Sequence, residues 1–181
     1  MKAVTPADVL KFWQDAGPQR WFKKDAAFDE EIRRRFLRAH EAAAAGRLAA
    51  WEMTDDGTLA LLILLDQFPR NMFRGEARAF ATDPPALGIA RRALTRGFDD
   101  KVSDTMRGFF YLPFMHSEKL SDQERCVELY RSLGNSEGLK FAGMHADIIR
   151  RFGRFPHRNA VLGRATTAEE QKFLDGGGFA G

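Results

Sequence analysis

Asp66, Gln67, Arg70, Asn71 and Arg74 fall within the stretch LALLILLDQFPRNMFRG, Leu59–Gly75. One carboxylate, two amides and two guanidiniums at this spacing suit the capture of an anion, because arginine offers a planar fork to carboxylate or phosphate. The chain later returns to nearly the same wording. GRFPHRNAVLGR, Gly153–Arg164, supplies Arg154, His157, Arg158, Asn159 and Arg164. Phe-Pro-Arg-Asn is thus answered by Phe-Pro-His-Arg-Asn, each followed within a few residues by Gly and Arg. The repetition predicts shared geometry, and the two corners are expected to form halves of one site. Each residue type also has a purely structural use. Arginines cap carbonyls at helix C-termini, and asparagine tolerates a left-handed turn.

Three further groups could move a proton or orient one that does. Asp66 lies on the Leu59, Leu62, Ile63 face of an apolar helix, near its C-terminal end. A carboxylate there is desolvated and opposes the helix dipole, so it needs an arginine partner. His145 shares a stripe with Phe141, Ile148 and Phe152, as a core histidine or as a group facing a cavity. His116-Ser117-Glu118 forms a corner after Pro113. Its His-x-Glu pair lacks a third ligand at helical spacing, so no metal is predicted. No phosphate-cradling glycine loop, nucleophile elbow or His-Glu-x-x-His pair occurs, and no cofactor is implied.

Helices must position these groups, since no run alternates with the period of a strand. Thr5-Pro6 opens a helix carrying Val9, Leu10, Phe12 and Trp13, and Trp21-Phe22 follows as the plug of an apolar seam. Asp29 is the expected cap of a long helix ending at Gly46, and Asp55 or Asp56 that of the Leu59 helix. That helix is apolar around its whole circumference, which makes it the central one, and Pro69 places its end at Phe68. A short helix over 76–82, one opening at Asp83 and one interrupted by Pro113 come next. Ser121 to Glu124 and Thr167 to Glu170 match the capping box. The fold class is therefore all-α: eight to ten helices in a single domain over 1–175, with a flexible glycine-rich tail at 176–181.

The chain has 181 residues, 44% of them hydrophobic, enough for one buried core. A single cysteine, Cys126, excludes an internal disulfide framework and suggests the reducing cytoplasm. Neither a signal peptide nor an apolar run of membrane-spanning length is present. The net charge is only +3, and the 20 arginines beside eight lysines are interleaved with acids. Without a basic tail, nucleic acid is disfavoured as a partner. Phe73, Phe109 and Phe179, if exposed, would offer a surface for a homodimer.

The blocks LDQFPRNMFRGEARAFATD, FFYLPFMHSE with DQER after it, and RFGRFPHRNAVLGR with TTAEE resemble an uncharacterised bacterial family, domain of unknown function 924. The resemblance runs from Phe12-Trp13 to Phe173-Leu174. It implies a tetratricopeptide-like fold of stacked antiparallel helix pairs, and it brings no activity. The 34-residue period of a true tetratricopeptide array is absent, which points to a compact relative. On the residues themselves, the first functional reading is a binding module. Gln67, Arg70, Asn71, Arg74, Glu118, Arg154, His157, Arg158, Asn159 and Arg164 would hold an anionic small molecule or an acidic peptide end. The alternative is an enzyme acting on a phosphate- or carboxylate-bearing metabolite. His116 or His145 would be its acid/base and Asp66 the orienting group.

Overall fold

Every regular element in the computed structural model, which describes residues 3–179, is helical, and no strand occurs among the described residues. No helix there is long and apolar enough to cross a membrane. The chain gathers into two compact units. Met1–Arg74 with Arg78–Pro113 form the first, and Gly75–Ala77 with Phe114–Gly181 the second.

The first unit starts from a well-capped helix. Helix α1 (Pro6–Ala16) follows Thr5, which accepts from the Asp8 N–H while Asp8 reaches back to the Thr5 N–H. A single turn, α2 (Pro18–Trp21), leads to α3 (Ala26–Ala44). Asp25, not Asp29, caps α3, accepting from the Ala27 and Phe28 N–H groups, and these bonds hold its carboxyl below the usual range. Asp29 is thereby freed for another task. The core is aromatic: Trp13 stacks on Trp21 and Phe28 and meets Phe68 and Phe109 edge-on. The Trp21 ring N–H donates to the Trp13 carbonyl at 2.7 Å, so Trp21 plugs the seam as expected. Its neighbour Phe22 does not, being 70% exposed. Phe73 and Phe109 are both buried, so neither supplies the exposed ring that the expected dimer surface requires.

Pro69 does not end the central helix. Thr54, rather than Asp55 or Asp56, caps α4 (Asp55–Leu62), which widens into one π turn, Ile63–Gln67, and continues as α5 (Phe68–Met72). A proline inside a helix removes one N–H and crowds the carbonyl a turn behind it. The π turn relieves the crowding, because the Phe68 N–H bonds five residues back to Ile63. Carbonyls left over in the widened turn find side-chain donors. His40 Nδ1 donates to Leu64 O at 2.9 Å, Thr82 Oγ1 to Leu65 O at 2.5 Å, and Arg70 Nη1 to Asp66 O. Burial lowers the His40 pKa, which keeps this imidazole neutral with its proton on Nδ1. Thr82→Val should therefore destabilise the protein by about 1–3 kcal/mol, because it strips a buried carbonyl of its donor at nearly constant volume. Urea denaturation checks this, and a loss under about 0.5 kcal/mol would show the hydroxyl to be dispensable.

Beyond α5, the expected helix over 76–82 shrinks to a 3-10 turn, Ala77–Ala79. Helix α6 (Asp83–Thr95) follows, then α7 (Asp104–Met115), which carries Pro113 inside its last turn rather than breaking there. In the second unit, α8 (Leu120–Leu133) has Lys119 as its N-cap. The Ser121 capping box does not form, because Ser121 already lies within the helix. Buried Gln123 takes over at this corner, its amide donating to the Met115 and Ser117 carbonyls at 2.7 and 2.6 Å. Cys126 is buried, and desolvation pushes its thiol up to about 12, consistent with a small hydrophobe and not a nucleophile. Helix α9 (Ser136–Phe152) packs along α8 after a turn at left-handed Gly134. Helix α10 (Ala168–Asp175) has the expected capping box of Thr167 and Glu170. Of the tail, residues 180 and 181 lie outside the described residues. The Gly178 N–H bonds back to Phe173 O, and the Phe179 ring sits 4.6 Å from His145 and 5.2 Å from His157.

Candidate functional site

The first corner is built on the π turn and α5. Arg70 lies between two acids, 3.7 Å from Asp66 Oδ1 and 3.0 Å from Asp83 Oδ1. Burial opposes its charge, but Asp66 and Asp83 more than compensate and raise its pKa. Gln67 donates to the other Asp66 oxygen at 2.5 Å. Asp66 thus has the arginine partner its position demands, and it comes from the same corner. Asp29 serves the rest of that corner. Its Oδ1 accepts from Asn71 at 2.7 Å, and both oxygens accept from the Nε–Nη2 edge of Arg74 at 3.0 and 3.1 Å.

The second corner follows α9. Arg154 presents its Nε–Nη2 edge to Glu170 at 2.6 and 2.8 Å, and Asn159 donates to Glu170 Oε2 at 3.2 Å. The Arg154 bonds, against a smaller opposing effect of burial, hold the Glu170 carboxyl down at about 2. Arg164 extends the network. Its Nε donates to Asn159 Oδ1 at 3.0 Å, and its two Nη groups grip Glu118 at 2.7 and 3.0 Å. Glu118 also accepts from the Phe155 N–H at 2.8 Å, and these bonds outweigh burial to keep its pKa low. Arg158 is buried, its guanidinium 4.6 Å from the centre of the Phe155 ring.

The two corners hold clamps of the same composition but not from matching positions, since Arg154 precedes its Phe-Pro pair and Arg164, the counterpart of Arg74, grips Glu118. In each corner one carboxylate from the first turn of a helix is shared by an asparagine amide and the Nε–Nη2 edge of an arginine. Asp29 with Asn71 and Arg74 makes the first, and Glu170 with Asn159 and Arg154 the second. Neither asparagine adopts the left-handed conformation expected of it, for only glycines do so among the described residues. Gly75 and Gly163 take that role, with φ of 81° and 65°.

A family model described as a bacterial protein of unknown function (DUF924) matches residues 9–178, nearly the whole chain. The chain belongs to this family. It is also similar to a solved structure, that of a protein of unknown function from Agrobacterium tumefaciens, at 50% identity. The match covers 94% of this chain and 97% of that one, with a TM-score of 0.92. None of the curated proteins matches.

In this DUF924 chain the predicted site residues divide between the two units. Asp66, Gln67, Arg70, Asn71 and Arg74 lie in the first, and His116, Glu118, His145, Arg154, His157, Arg158, Asn159 and Arg164 in the second. Glu118 is engaged by Arg164, and His116 beside it is half-buried. His145 is buried, with Nδ1 2.8 Å from the Phe141 carbonyl and the rings of Phe155 and Phe179 against it. Phe141, placed in that inner stripe by spacing, is 44% exposed. No three His, Cys, Asp or Glu side chains among the described residues are placed to hold a metal ion. Asp29, Asp83 and Glu170 are the participants that sequence reading missed. All three sit in first turns of helices, where an acid reads as a cap or a dipole partner before anything else.

Proposed function

We propose that this protein is a binding module of tetratricopeptide-like helical build, each of whose two arginine clamps can by itself receive an anionic small molecule or an acidic peptide end. The observation that carries the reading is the orientation of the clamps. Asp29 and Glu170 take the Nε–Nη2 edges of Arg74 and Arg154, and Nη1 of each has no acceptor among the described residues. Both side chains remain partly open to water, 39% and 29% exposed. A guanidinium already fixed by its partner loses little freedom on meeting a ligand, which favours binding through preorganisation. The same carboxylates cancel much of the charge, so affinity is expected for multivalent anions rather than for chloride.

Thermal unfolding with inorganic phosphate, pyrophosphate and citrate tests the reading. A ligand at a hundredfold excess over its Kd should add about 2.7 kcal/mol. Arg154→Lys, which keeps the charge and loses the fork, should weaken that effect. Stability unchanged by all three anions would overturn the proposal.

A further inference from the structure

The first unit contains a hollow of about 330 Å³ that neither corner uses. This is near the lower end of the size of small-molecule sites. Ala43, Leu48, Ala49, Leu61 and Ile89 make its walls apolar, and Glu52 and Arg92 form a charged lip.

Gly88 helps keep the hollow open. It lies in the middle of α6 without a positive φ, and a Cβ there would meet only Arg92 Nη1, at 3.5 Å. Alanine would fit that space and would favour the helix by about 1 kcal/mol. Neither the backbone nor the packing requires glycine here. What the missing side chain provides is room beside Arg92.

The lip carries surplus positive charge. Arg92 gives Nε and Nη2 to the Glu52 carboxylate at 2.8 and 2.9 Å, while Arg96 donates to the Glu52 main-chain oxygen at 2.7 Å. Glu52 thus meets two guanidiniums but its carboxylate balances only Arg92, and Arg92 Nη1 lies on the Gly88 side. Apolar walls under a cationic lip fit a ligand with an aliphatic body and one negative end.

We propose that this hollow is a separate binding site for a short aliphatic monocarboxylate, its tail among the apolar walls and its head on Arg92 Nη1 beside Arg96. The lip and walls include no residue of either clamp, so this site stands or falls independently of the anion reading above.

The test is an amide-resolved NMR titration of the whole chain with octanoate, 1-octanol and octylammonium. Octanoate should shift the Gly46 and Gly88 amides saturably, with octylammonium at least about tenfold weaker. Gly88→Leu should abolish the octanoate shifts, and Arg92→Gln should reduce octanoate affinity about tenfold, to the level of octanol. Circular dichroism verifies that the variants are folded, and Ala49→Leu, on another wall, replaces Gly88→Leu if helicity is lost. The proposal is overturned if octanoate gives no saturable shift, if its binding survives in the folded filled variant, or if octylammonium binds as tightly.

Discussion

Replacing Glu170 with alanine is expected to destabilise the protein by about 2–4 kcal/mol, because a buried carboxylate that serves Arg154, Asn159 and the helix N-terminus is lost at once. Glu170 is 2% exposed and accepts from Arg154, Asn159 and the Thr167 N–H, so its loss unmakes the clamp and the α10 cap together. The midpoint of thermal unfolding should fall by roughly 4–16 °C. Glu170→Gln separates charge from shape through its pH dependence. The folded carboxyl titrates at about 2, against 4.5 when unperturbed. Between those values the unfolded chain binds a proton that the folded one refuses, so stability falls as the medium is acidified. The contribution is complete above about pH 4.5 and is lost on descending through about pH 2. Wild type and Glu170→Gln should therefore differ most near neutrality and converge in acid. Parallel pH profiles of the two would show that the carboxylate carries no such charge coupling.

Phe68→Ala should cost a similar amount, about 3–5 kcal/mol, from a different source. Phe68 is fully buried and packs on Phe36, Trp13 and Phe12, with ring centroids at 4.9, 5.5 and 6.1 Å. Truncation leaves a cavity among rings that belong to α1 and α3, neither of which can collapse far without unseating the other. Phe68→Leu keeps most of the volume and should cost less. Denaturant unfolding of both variants decides it. A loss under about 1.5 kcal/mol for the alanine variant would mean that the aromatic core relaxes around the gap.

Helix identity was legible in the sequence wherever it depended on neighbours along the chain. Thr5 with Pro6, and Thr167 with Glu170, are local capping devices, and both form. The apolar run Leu59–Leu65 had to be buried because no face of it suits water, and all of it is. Local rules failed where a distant group intervened. Pro69 would end an isolated helix, yet His40 and Thr82 supply donors that let the backbone widen and pass. Asp29 has the look of a cap until Asn71 and Arg74 arrive from far along the chain and claim its oxygens.

The candidate residues divide along the same line. By itself the sequence determined that two arginine-bearing Phe-Pro corners exist. The common geometry expected from their repetition does not hold along the backbone, for Phe68 is helical and Pro69 lies within a continuous helix, whereas Phe155 is extended and Pro156 opens a 3-10 turn. Only the tertiary structure decided what the arginines hold. A guanidinium takes whichever carboxylate folding brings within reach, and Asp29, Asp83 and Glu170 are brought there by the packing of other helices. That pairing makes each corner a clamp closed on the protein side, with only Nη1 of Arg74 and of Arg154 left without an acceptor among the described residues.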